Sequence, residues 1–144
     1  MYVVDASVYV PLVLLSGREL VKAMNRIKFV VLDLTLYEAC NAFWKECMKL
    51  RRISVDEGIS ACKASKALAR YAHLYRITDL NVEDVARVAV EDGITFYDAS
   101  YVVLAREIRA PVVSEDEDII AVAPKYGVKA IRLREFIKEL EIDL

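Results

Sequence analysis

Glutamine is absent from this chain and asparagine is scarce, a composition in keeping with a hot habitat. Histidine occurs once, as His73, in what reads as a mixed polar helix. That argues against Ser-His-Asp hydrolysis and against a histidine-rich zinc site, so any acid–base or metal chemistry falls to carboxylates. Cysteine occurs three times, at Cys40, Cys47 and Cys62, an odd count without metal-finger spacing. Cys40 and Cys47 share a helical stripe with Leu36, Phe43 and Trp44, which suits core packing and the reduced thiols of a cytoplasm. The four glycines and three prolines build no Gly-rich phosphate loop, no GxGxxG and no linker. No apolar run approaches the roughly 20 residues of a membrane span. The longest uncharged stretch, 6–17, is shorter and contains Pro11 and Gly17. An acid as early as Asp5 argues against a secretory signal, so a cytoplasmic location is expected. A net charge of −2 spreads no basic field over the molecule, and a polyanionic partner would need a local patch.

What the chain does have is apolar residue: 56% of 144 positions, enough for one domain with a real core. Short Val/Ile/Leu strands are expected at 2–5, 29–32, near 75–78, at 111–114 and near 129–131. Between them, helical periodicity marks 17–28, 35–52, 54–71, 82–91, the stretch from Asp98, 118–126 and 133–140. Ser54-Val55-Asp56-Glu57 reads as a capping box, and Gly93 as a helix stop. Strands that are apolar throughout and alternate with helices predict a single α/β domain over 1–144. Its central parallel sheet, of about five strands, is flanked by helices.

The stretch Thr95-Phe96-Tyr97-Asp98-Ala99-Ser100-Tyr101 organises the functional reading. Thr95 caps a helix and Asp98 answers its free N–H groups, which is an ordinary use of an acid. Three further apolar segments also run into acids: Val3-Val4-Asp5, 30–32 followed by Glu38, and Val112-Val113-Ser114-Glu115-Asp116. Capping explains each acid and not the set. Sites in parallel sheets lie at the carboxyl ends of strands, where Asp5 and Asp116 fall. Carboxylates gathered in one place repel unless a cation neutralises them, and hard Mg²⁺ or Mn²⁺ wants oxygen ligands. The chemistry this suggests is hydrolysis of phosphodiesters.

At this point Asp5-Ala6-Ser7, Glu38-Ala39-Cys40-Asn41, the Tyr97-Asp98-Ala99-Ser100-Tyr101 block with Leu104-Ala105, and Ser114-Glu115-Asp116 resemble, in order, the motifs of PIN-domain ribonucleases. The likeness is nearest to the VapC-type toxins of toxin–antitoxin pairs. It implies a PIN-like domain, an Mg²⁺ or Mn²⁺ site, cleavage within RNA, and a protein antitoxin as partner. By the resemblance, Asp5, Glu38, Asp98 and Asp116 are the catalytic, metal-holding acids, and Ser7, Asn41 and Ser114 their polar supports. Glu115, Glu117 and Asp118 crowd the last motif; Asp118 is carried as a further metal ligand, while Asp33 reads as a loop or cap residue.

Helical geometry adds a candidate RNA track. At 100° per residue, Asn41, Lys45, Lys49 and Arg52 fall within about 60° of Glu38, opposite the Phe43 side. Phe96, Tyr97 and Tyr101 are expected mainly in the core, with base stacking as their other use. So apolar a chain is expected to form a homodimer. Two alternatives stay open. One is a housekeeping RNA-processing nuclease of the same fold. The other is an Mg²⁺-binding regulatory α/β module without nuclease activity, such as a phospho-receiver, though Asp5 stands alone at the first strand and acids, not a lysine, follow Ser114.

Overall fold

Side chains of successive strand residues point to opposite faces, and here both faces are apolar. The computed structural model describes residues 1–15 and 17–141. In it β1 (Tyr2–Val4), β2 (Phe29–Leu32), β3 (His73–Tyr75), β4 (Val112–Val113) and β5 (Ala130–Ile131) form one sheet. All pairings are parallel, in the order β3-β2-β1-β4-β5. Val3, Val30, Leu32 and Val112 face one core with Val85, Val88, Val102 and Ile119. Val4, Val31, Val113 and Ile131 face the other with Leu12, Phe43, Phe136 and Leu140. Helices α1 (Ala6–Leu15), α2 (Gly17–Arg26), α3 (Asp33–Met48), α4 (Val55–Ala69) and α8 (Leu133–Leu140) cover the second face; α5 (Val82–Asp92), α6 (Phe96–Glu107) and α7 (Glu117–Val122) cover the first. The expected α/β class and parallel five-stranded sheet are both present.

Strand order fixes where a ligand can go. The chain builds outward from β1 through β2 to β3, then returns to the other side of β1 for β4 and β5. Successive connections therefore part between β1 and β4, the switch point at whose carboxyl ends open α/β sheets bind their ligands. Asp5 leaves β1 and Ser114 leaves β4 at that place, with the Asp5 N–H donating to the Val113 carbonyl at 3.0 Å.

The elements depart from expectation at several places, each for a local reason. Helix α1 was not foreseen: it is apolar almost all round, so it carries no period, and Pro11 lies inside it. The third strand lies at 73–75, ahead of 75–78, and His73 is an exposed residue of this edge strand, not of a helix. Ile77–Asp79 is a 3₁₀ turn. Helix α3 ends at Met48, short of Arg52, and Arg51 takes a left-handed φ of 52°. The 118–126 helix is split into α7 and a 3₁₀ turn at Ala123–Tyr126 that begins by Pro124. Trp44, Phe96 and Tyr97, expected inside, are exposed, whereas Phe43 and Tyr101 are buried. The Ser54–Glu57 capping box, the left-handed Gly93 stop and the 133–140 helix stand where the sequence placed them.

Candidate active site

Asp5 is 5% exposed, deep for a carboxylate, and two hydroxyls answer it. The Ser7 and Ser114 Oγ atoms both donate to Asp5 Oδ2, at 2.5 and 2.7 Å. Each hydroxyl also accepts a backbone N–H from the closing motif: Ser7 from Glu115 at 2.9 Å, and Ser114 from Asp116 at 2.9 Å. Both serines thus tie the acid after β1 to the loop after β4, which is the physical content of the Asp-x-Ser and Ser-x-Asp spacings. Asp116 then caps α7, its Oδ1 accepting from the Asp118 N–H at 2.8 Å.

Asp98 sits in the first turn of α6. The Thr95 hydroxyl accepts from the Asp98 N–H at 3.1 Å and donates to Asp98 Oδ2 at 2.6 Å. Capping and site placement are therefore one arrangement: the cap holds the carboxylate in position. Carboxylate oxygens of Asp98, Asp116 and Asp118 lie within 4.8 Å of one another. Glu38 comes from α3. The buried Tyr101 hydroxyl donates to Glu38 Oε2 at 2.6 Å and pairs with Thr35 Oγ1 at 2.9 Å. Sequence reasoning missed this role for Tyr101, whose helical stripe reads as plain core. Its spacing three after Asp98, on the buried side of the same helix, was the available signal.

Electrostatics record the convergence. Burial raises the carboxyl pKa of Asp5, and the Ser7 and Ser114 hydroxyls offset part of that. Burial also raises Glu38, with the Tyr101 hydroxyl pulling down and the charges of Asp5, Asp98 and Asp116 pushing up. Asp98 is raised by burial and by the charges of Asp116, Asp5 and Asp118, against the Thr95 hydrogen bond. Among the described residues, no lysine or arginine pairs with any of Asp5, Glu38, Asp98, Asp116 or Asp118. The donor set is carboxylate oxygen alone, which fits a hard divalent ion such as Mg²⁺ or Mn²⁺ and suits zinc poorly.

The remaining expected site residues fare unevenly. Asn41 is exposed on α3 and its side chain makes no hydrogen bond to the acids among the described residues. Lys45 is exposed on α3, and Lys49 is exposed at its C-cap. The Lys49 ammonium lies 5.5 Å from the Trp44 ring centroid. Arg52 lies beyond the helix, so the wheel that aligned it with Glu38 does not apply; it pairs with Glu46 at 3.6 Å. Asp33 opens α3 and accepts from the Leu34 N–H at 2.9 Å, a local role as expected. Glu115 and Glu117 are taken by Arg132, at 3.3 and 2.8 Å.

Comparison with known proteins agrees with this geometry. The family model described as "PIN domain" matches residues 2–125. A curated relative, Exonuclease VapC9 of Pyrobaculum aerophilum, is 40% identical over 97 residues, which are 67% of this chain and 68% of the relative. The crystal structure of PAE2754 from Pyrobaculum aerophilum superposes with a TM-score of 0.77 at 32% identity, covering 96% of this chain and 95% of that one. A chain from a toxin–antitoxin complex of Klebsiella pneumoniae shares the fold alone, at 13% identity and a TM-score of 0.59 over 91% of this chain and 96% of its own.

Proposed function

The chain belongs to the PIN-domain family, and from that premise we propose that it is a divalent-metal-dependent ribonuclease, the toxin of a toxin–antitoxin pair. One observation carries the reading: five carboxylates from four parts of the chain gather at the sheet's switch point without a cation from the protein. Asp98, Asp116 and Asp118 would hold Mg²⁺ or Mn²⁺, with Asp5 and Glu38 closing the site. An ion held there would supply Lewis acidity toward water and toward the charge on the phosphoryl group. The protein's own part is placement. Ser7 and Ser114 fix Asp5, Thr95 fixes Asp98, and Tyr101 occupies Glu38 Oε2, which leaves Oε1 to accept a proton from the attacking water.

Lys45 on α3 and Lys49 at its C-terminal end offer phosphates a path away from the acids, and Arg52, paired with Glu46, is left out of it. An antitoxin segment bearing an arginine would pair with the uncompensated carboxylates and occlude the site. A homodimer is supported by Trp44, Met48, Leu50, Val55 and Ile59, exposed around the α3–α4 turn. No helix of the described residues is long and apolar enough to cross a membrane, in keeping with a cytoplasmic place of action.

The test is cleavage of a linear and a circular RNA in Mn²⁺. Cutting of both is expected, because the proposed enzyme cleaves within the chain. The relative's name carries the word exonuclease; cutting of the linear RNA alone would replace the internal mode with an end-directed one. Cutting of neither, or full activity in EDTA, would overturn the reading. Co-expression with the product of a neighbouring small gene should suppress cleavage if that product is the antitoxin.

A further inference from the structure

The first turns of α3 and α6 each present an acid and, one residue earlier, a tyrosine: Tyr37 before Glu38 and Tyr97 before Asp98. The acids enter the candidate active site. The tyrosines, 78% and 59% exposed, instead line a pocket of about 230 Å³ beside it, with Leu34, Ile77 and Phe96. We propose that this pocket is a stacking subsite for one unpaired nucleobase of the RNA, next to the phosphate that is cut. The inference rests on the ribonuclease reading.

Three observations favour a base over other occupants. The pocket and the acid site share their elements: α3 carries Tyr37 next to Glu38 and α6 carries Tyr97 next to Asp98, so a phosphate held at the acids would bring a neighbouring base within reach of these tyrosines. The lining holds no cation and includes Asp33, which disfavours a phosphate and leaves the uncharged faces of aromatic rings. Nine residues line it, against the roughly 20–30 a side of a stable protein interface. Ser100 Oγ donates to the Phe96 carbonyl at 2.8 Å and Asp33 Oδ1 accepts from the Leu34 N–H at 2.9 Å, so both are engaged within the protein. The surface left to a ligand is mainly aromatic and aliphatic, and the subsite grips a base chiefly by stacking.

A double-mutant cycle on RNA affinity tests this. Wild type and Tyr37→Leu are titrated with a short single-stranded oligoribonucleotide, and with the same RNA made abasic beside the mapped cut, with Ca²⁺ replacing Mn²⁺. On intact RNA, Tyr37→Leu should weaken binding about 5- to 150-fold, the worth of one stacked base. It should cost little on abasic RNA, and Tyr37→Trp should restore binding. The rise in melting temperature with Mn²⁺ should be the same in Tyr37→Leu as in wild type. An equal loss on both RNAs, or no loss on either, overturns the subsite. So does a change of mass in light scattering with unchanged affinity per protomer, which would make the pocket a contact between copies. Wild type that binds neither RNA overturns the ribonuclease reading itself, and the subsite with it.

Discussion

Two groups of acids stand side by side in the closing motif and are treated in opposite ways. Glu115 and Glu117 are paired with Arg132, and Glu115 also accepts the Leu133 N–H at 2.8 Å. Asp116, between them in sequence, faces Asp98 and Asp118 with no cation of the protein near. The same contrast holds elsewhere: Asp92 is held by Lys125 and Tyr126 and sits below the usual carboxylate pKa, while Asp5, Glu38 and Asp98 are all pushed above it. The protein has cations enough, 20 lysines and arginines, and places them away from one pocket. Glu115, Glu117 and Asp92 have cationic partners. Asp5, Glu38, Asp98 and Asp116 have hydroxyl or backbone partners, and no cation pairs with any of the five acids of the candidate site among the described residues.

The largest effect that would sharpen the contrast comes from Asp98→Asn. Metal-assisted stabilisation of several kcal/mol, at about 1.4 kcal/mol per decade, predicts a loss of about a thousandfold in RNA cleavage rate. The same variant should be more stable than wild type without metal at neutral pH, because one mutually repelling charge is gone. Next comes Ser114→Ala. It leaves buried Asp5 with one hydroxyl donor fewer and the Asp116 N–H without its acceptor, so Mn²⁺ affinity should fall about 10- to 100-fold. Isothermal titration reads that loss.

Lys45→Ala with Lys49→Ala should weaken RNA binding by a smaller factor and lower the slope of log K against log salt by about one for each phosphate no longer neutralised. An unchanged slope would return both lysines to a solvated helix face. The mildest perturbation, Arg132→Ala, acts on the braced acids alone. It should shift the melting temperature little, since its ion pairs are exposed. A collapse of Mn²⁺ binding in this variant would break the distinction between the two groups.

The pH dependence has a definite sign. Asp5, Glu38 and Asp98 have folded pKa values raised above their unfolded ones. Their contribution to stability is fully present below the unfolded value, about 4, and is lost as pH rises through the folded values. Glu57 and Asp92, both lowered, act in reverse: their contribution is present above the unfolded value and lost as pH falls through the folded one. Subtracting the melting curve of Asp98→Asn from that of wild type, both without metal, isolates part of the first set. The difference should grow less favourable to wild type from about pH 4 upward, and a difference independent of pH would contradict the shift.

Part of the candidate site's geometry is short-range. Asp5 with Ser7, Ser114 with Asp116, and Thr95 with Asp98 are pairs two or three residues apart, and each is a real hydrogen-bonded unit. Tyr101 was not legible, since its partner Glu38 is 63 positions away and only the fold joins them. Arg52 was misplaced because a helical wheel was carried past the helix end at Met48. Helix α1 was lost for want of a polar face, and β3 was placed two residues late because three residues at a sheet edge, two of them exposed, carry no apolar pattern.

The most direct test of the account is the melting temperature of wild type and Asp98→Asn at neutral pH, with and without Mn²⁺. Wild type should melt lower than the variant without metal, and rise above it when Mn²⁺ is added, while the variant responds weakly. A wild type indifferent to Mn²⁺, and more stable than Asp98→Asn without it, would mean that the acids are settled in the apo fold and that no metal belongs there.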